Sequence, residues 1–79
     1  MKVTQEEVQI LVRVQLGIKK LSMESLFMED LGAESADLVN IAAAAQDKFS
    51  VSFDETDIAG VRNVEQLYLL IKKLQQPKG

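Results

Sequence analysis

The chain contains no cysteine, no histidine and no tryptophan, a single proline, and four aromatic residues in all, three Phe and one Tyr, among 79 residues. Each shortage removes a class of function. Without cysteine there is no disulfide, no thiolate nucleophile and no zinc–thiolate site. Without histidine there is no imidazole base, and the usual zinc and iron ligand sets are broken. Catalysis by the chain's own side chains is therefore not expected, and neither is a metal site. No apolar run approaches the roughly 18 residues that a membrane helix needs, and Met1 is followed by Lys2 and polar residues rather than by the apolar core of a signal peptide. The expectation is a cytoplasmic protein that does not insert into membranes. Repeats, low-complexity tracts and internal linkers are also missing. One domain spanning 1–79 is expected, with the tail "QQPKG" around Pro77 frayed from about residue 76.

What remains is apolar and mildly acidic. Hydrophobic residues make up 47%, and the formal net charge is −3. That apolar fraction suits a small core rather than a disordered chain. The charge is unevenly placed. Between Glu24 and Asp57 stand nine acids (Glu24, Glu29, Asp30, Glu34, Asp37, Asp47, Asp54, Glu55, Asp57) against one base, Lys48. Such a segment is either a solvated surface or a docking face for basic partners. It repels phosphate backbones, so nucleic acid is not an expected partner.

The periodicity predicts helices. Thr4 and Glu7 form a capping box, and Val3 with Val8 a hydrophobic staple. Val8, Leu11, Val12 and Leu16 follow at helical spacing, and Gly17 is a natural stop. Ile10 and Val14 widen this apolar arc, through tighter burial, scattered surface residues or an association face. Residues 18–34 lack periodicity and read as a long structured loop pinned by Leu26, Phe27 and Leu31. A second helix runs from about Ser35 to Phe49. Its stripes are Val39, Ala42, Ala43, Gln46 and, alongside, Leu38, Ile41, Ala45, Phe49. "VSFDETDIAGV" is an extended link, then a short helix over 55–59 capped by Asp54 and ended by Gly60. The last helix opens at Asn63, with Gln66 at the capping-box position, and runs to about Gln75. Val64, Leu67, Leu70, Ile71 and Leu74 form its inner stripe, with Tyr68 at the rim. The fold class is all-α: a small irregular four-helix bundle, three helices longer and one short, with a long loop between helices one and two.

Within "EDLGAESADLV", Ser35 stands at a helix start after a Gly turn. It can cap the helix. As a nucleophile it lacks a partner, since no histidine exists and carboxylates such as Glu34 and Asp37 are weak bases. A helix N-terminus also favours a phosphate, through unpaired N–H groups and the helix dipole. Ser35 thus suits a phosphate-linked attachment, whether a phosphoryl group or a larger one.

The stretch resembles the attachment motif of acyl carrier proteins, usually Asp-Ser-Leu after a Leu-Gly turn. "QLGIK" near Gly17, "FMEDLGAES" from Phe27 to Ser35, Phe49 and the link from Asp54 to Val64 fall in similar order, so the likeness covers nearly the whole chain. It implies that Ser35 carries 4′-phosphopantetheine, taken from coenzyme A, and that acyl intermediates ride on the arm's thiol as thioesters. It implies a monomer that catalyses nothing itself, shelters the cargo and presents it to other enzymes. The expected partners are a phosphopantetheinyl transferase and acyl-transferring and synthase enzymes with basic or apolar docking patches. The recognition face implied is Asp30, Leu31, Gly32, Glu34, Ala36, Asp37, Val39, Asn40 and Ala43.

Three departures mark the chain. Glu34 replaces the usual Asp, which in the family helps position the metal during arm transfer. Ala36 replaces a Leu that supplies an apolar partner contact worth roughly 1–3 kcal/mol when well buried. Helix two is poor in acids, with Asn40, Gln46 and Lys48 at places where the family has Glu or Asp, and small at Ala43 and Ala45. These point to a specialised lipid or polyketide-type pathway. They leave open an unmodified carrier-like interaction module, and an aminoacyl or peptidyl carrier, although "LGAES" fits the acyl type better. If Ala45 lines the acyl pocket, its size bears on the cargo.

Overall fold

The computed structural model describes residues 2–76. It contains α1 (Gln5–Leu16), α2 (Ser35–Phe49), α3 (Glu55–Gly60) and α4 (Val64–Gln75), and no named strand among the described residues. The all-α bundle with one short helix is as expected. The expected fraying lies largely on residues 77–79, outside the described residues.

Helix α1 begins as its sequence dictates. Thr4 Oγ1 accepts from the Glu7 N–H at 3.2 Å, and Glu7 Oε1 accepts from the Thr4 N–H at 3.0 Å. Two orphan donors of the first turn are satisfied. Gly17 ends the helix at φ 67°, and the Ile18 N–H bonds back to the Arg13 carbonyl at 3.1 Å. That left-handed turn favours glycine. Val8 and Val12 are fully buried and Leu11 nearly so. Ile10 and Val14 lie outside the core, Val14 being 70% exposed.

The core is shared by α1, α2 and α4. Val8 and Val12 meet Ile41, Ala45 and Phe49 of α2 and Val64, Leu67 and Ile71 of α4 in one apolar cluster. Of the two stripes expected on α2, the second supplies the core. Ala42 joins it, whereas Val39 and Ala43 face solvent.

Three local expectations are corrected. Gly60 lies inside α3 without a positive φ, and the helix ends at Val61 in extended backbone. The Asn63–Gln66 box closes on one side only. Asn63 Oδ1 accepts from the Gln66 N–H at 2.8 Å, but Gln66 Oε1 reaches one residue further, to the Arg62 N–H at 2.7 Å. Leu74 is 36% exposed rather than buried. Gln75 follows Ile71 by four residues and so comes next on the core face of α4. Its Oε1 accepts from the Val3 N–H at 2.9 Å, and its Nε2 donates to the Phe49 carbonyl at 3.4 Å. One amide thereby joins the chain's N-terminal segment, the end of α2 and the end of α4.

Asn63→Ala removes the side-chain cap of α4, and a loss of about 1 kcal/mol is expected. Urea unfolding followed by circular dichroism measures it. An unchanged midpoint would show that the cap is not needed.

Candidate functional site at the start of α2

The site is built from the loop upward. Residues 17–34 join α1 to α2 without regular structure except for turns. Ser22 and Ser25 close one, the Ser25 N–H bonding to the Ser22 carbonyl at 3.1 Å. Asp30 closes the next. Its Oδ2 accepts from the Leu26 N–H at 2.8 Å, while its own N–H donates to the Leu26 carbonyl at 2.9 Å. Phe27 is buried to 1% exposure. Its N–H donates to the Arg62 carbonyl and its carbonyl accepts from the Ala33 N–H, both at 2.8 Å. Leu26 pairs with Asn63 in an isolated antiparallel bridge, and the Glu65 N–H reaches the Met23 carbonyl at 3.0 Å. The loop is thus laced to the start of α4, which explains how so long a connection stays ordered. Of the three residues expected to pin it, Phe27 is buried; Leu26 and Leu31 are half-buried.

Gly32 then turns the chain at φ 70°. A Cβ there would meet nothing within 4 Å, so the demand for glycine is conformational rather than steric. Ala33 is buried and fixes the approach to the helix.

The cap of α2 is not Ser35. Glu34 is the N-cap, in extended backbone at φ −100°, and Ser35 is the first helical residue. Asp37 Oδ2 accepts from the Glu34 N–H at 2.8 Å, and the Asp37 N–H bonds to the Glu34 carbonyl at 3.0 Å. Capping therefore falls to the two acids that flank the serine, and the Ser35 side chain stays exposed at the positive end of the helix. That is the arrangement a phosphodiester requires: an accessible hydroxyl with backbone N–H groups nearby.

The faces beside Ser35 divide in two. Glu34, Ala36, Val39, Asn40 and Ala43 are exposed on or before α2, and Asp37 is half-buried. Asp30 and Gly32 are exposed on the loop, with Leu31 half-buried beneath them. Val39 is 59% exposed and Met28 45%, so an apolar strip borders the acids. From Ser35 a groove of about 560 Å³ runs between α2 and α3. Its near side is Leu38 and Val39; its far side is Ile58, Ala59, Val61 and Arg62. None of the far-side residues belongs to a motif legible in the sequence. In the sequence Ile58 and Val61 stand three apart, but nothing in that spacing says that they face Ser35; the structure leaves both half-buried on the groove. Deeper, a crevice of about 20 Å³ is lined by residues that include Leu38, Ile41, Ala42, Phe53 and Leu70. Ala42, not Ala45, borders it. Ala45 is wholly buried in the α1–α2–α4 core.

Comparison with known proteins agrees with this geometry. A family model described as the phosphopantetheine attachment site matches residues 6–71. A meromycolate extension acyl carrier protein of Mycobacterium leprae is 35% identical, the match covering 96% of this chain and 71% of the relative. Acyl carrier protein 3 of Ralstonia nicotianae is 37% identical over 78% of this chain and 71% of its own. A solved structure of a candidate acyl carrier protein from Mycobacterium tuberculosis superposes with a TM-score of 0.77 at 18% identity, covering 82% of this chain and 89% of that one, which speaks to the fold. The chain belongs to the acyl carrier protein family. It is a carrier rather than an enzyme, and its prosthetic group is 4′-phosphopantetheine. Membership implies a phosphopantetheinyl transferase and acyl-transferring or synthase enzymes as partners. No helix among the described residues is long and apolar enough to cross a membrane.

Gly32→Ala is expected to destabilise the fold by about 1–2 kcal/mol, the penalty of a left-handed backbone for a residue with a Cβ. Gly32→Asn, which tolerates that region better, should lose less. Equal losses in chemical denaturation would argue against a backbone cause.

Proposed function

We propose that Ser35 is the attachment point of the arm, and that the chain holds acyl intermediates for a specialised lipid or polyketide-type pathway, acting as a monomer. The observation that supports this most is the exposed Ser35 hydroxyl at the first position of α2, freed from capping by Glu34 and Asp37. In the loading step Ser35 Oγ forms a bond to phosphorus while the pyrophosphate bond of coenzyme A breaks. Adenosine 3′,5′-bisphosphate departs, and the hydroxyl proton passes to a base supplied by the transferase. Once attached, the arm supplies the thiol that this cysteine-free chain lacks.

The chain's own residues position and shelter. The Phe27 lock and Gly32 turn fix where Ser35 stands. The groove offers an apolar wall to whatever hangs from it. The inner crevice, at about 20 Å³, has room for little more than one water molecule. Deep burial of an acyl chain therefore requires α3 to move away from α2. Helix α3 suits that, since it is six residues long and none of them is fully buried.

Recognition falls to the rim: the exposed Asp30, Gly32, Glu34, Ala36, Val39, Asn40 and Ala43, with the half-buried Leu31 and Asp37. Basic patches on partners complement the acids, and Val39 offers an apolar contact. Ala36 withdraws bulk where relatives of the housekeeping type present Leu. A relative named for meromycolate extension supports a dedicated acyl pathway without naming this one's cargo.

Two outcomes test the reading. Apo protein incubated with coenzyme A and transferases, including those of the source organism, should gain the mass of one arm, and Ser35→Ala should gain none. A persistent gain in Ser35→Ala would move the site elsewhere. Ala36→Leu should tighten binding to a housekeeping synthase by roughly five- to a hundredfold, the scale of a buried apolar contact of about 1–3 kcal/mol. Surface plasmon resonance reads this directly, and unchanged affinity would remove Ala36 from the recognition face.

A further inference from the structure

The groove beside Ser35 has an uneven electrostatic lining. Its described walls hold two carboxylates, Glu29 and Glu55, and one cation, Arg62. The surrounding sequence is more lopsided still, with Lys48 the single base from Glu24 to Asp57. A phosphodiester on Ser35 adds a further negative charge to this neighbourhood, next to Glu34 and Asp37. The α2 N-terminus offsets part of the repulsion through its N–H groups. Among the groove-lining residues, Arg62 is the one that can oppose the rest.

Its setting suits the task. The Arg62 carbonyl is held by the Phe27 N–H at 2.8 Å, and the Arg62 N–H by Gln66 Oε1 at 2.7 Å. The backbone is therefore anchored on both sides of the residue, while the side chain is exposed on the groove. A guanidinium offers paired donors that match two phosphate oxygens, and it stays charged at any working pH. On the same wall Ile58, Ala59 and Val61 provide apolar surface.

We infer that Arg62 is a positioning residue which pairs with the Ser35 phosphodiester and draws the arm into the groove between α2 and α3, away from solvent. The inference rests on Ser35 being the attachment point. It assigns the far wall of the groove a part in setting how readily the arm is released to a partner. An exposed ion pair biases such an equilibrium only modestly, by roughly two- to fivefold, and less at high salt.

The test uses the full chain loaded with the arm, as wild type, Arg62→Gln and Arg62→Lys. Intact mass first reports loading. Nuclear Overhauser contacts between the arm's geminal methyl groups and the methyls of Ile58 and Val61 then report docking, and the ³¹P shift reports the phosphodiester's surroundings. Wild type should show both contacts. They should weaken about two- to fivefold in Arg62→Gln, survive in part in Arg62→Lys, and fade in wild type as salt rises. Contacts equal in wild type and Arg62→Gln, or insensitive to salt, overturn the role of Arg62 while leaving Ser35 as the attachment point. Absence of arm contacts in loaded wild type overturns it equally. Failure of every variant to gain mass overturns the attachment reading and this one together. Amide spectra of the apo variants show whether the fold is intact, and should Arg62→Gln unfold, the salt series and Arg62→Lys decide.

Discussion

The site depends on Phe27. It is the single large side chain that the long loop buries completely, and its two backbone groups are both spoken for, one by Arg62 and one by Ala33. The first bond ties the loop to the segment between α3 and α4. The second sets the direction in which the chain leaves toward Glu34. Ser35 therefore stands where it does because an aromatic ring is held in the core some distance upstream. The ring also borders both the inner crevice and the outer groove. A small domain with few aromatics has placed one of them at the junction of loop, core and site. Hydrophobic burial gives this junction its strength, since a fully buried Phe is worth roughly 1.5–3 kcal/mol relative to exposure. The hydrogen bonds give it direction.

How much of this was legible in the sequence depended on how local each cause was. The Thr4–Glu7 box, the Gly17 stop and the Asn63 cap span four residues or fewer, and the structure has all three. The three longer helices were likewise readable from spacing, and α3 from the Asp54 cap. What spacing could not give was partnership across the chain. Gln75 looked like part of a fraying polar end, yet it bonds to Val3 and Phe49, both far away in sequence. Gln46 likewise holds the link after α2, accepting from the Phe53 N–H at 2.7 Å. Polar residues at helix ends have no periodic signature that separates a solvated amide from a tie.

The site divides in the same way between local and long-range causes. Ser35 was found because a Gly turn, an acid and a helix start lie side by side in sequence. Its role as a cap was misjudged by one residue, since a Glu rarely leads the list of N-cap residues. The chain resolves this by letting Asp37 do the bonding, through the Glu34 N–H. The far wall of the groove comes from α3 and the residues after it, and their position opposite Ser35 follows from the Phe27–Arg62 bond rather than from any motif.

That geometry bears on why Glu34 could replace the shorter acid without loss of the helix. As the N-cap residue, Glu34 supplies its backbone to α2: its N–H goes to Asp37, and its carbonyl accepts from Asp37 and Leu38. The Glu34 and Asp37 side chains also face each other across the first turn as a capping box. The backbone bonds at this position are open to either acid, so the longer side chain does not disturb the helix start. Asp37 is more constrained, because its carboxylate holds the cap. The constraint on the motif is divided accordingly. The third residue of the helix holds the cap through its side chain, and the residue before the serine anchors it through its backbone.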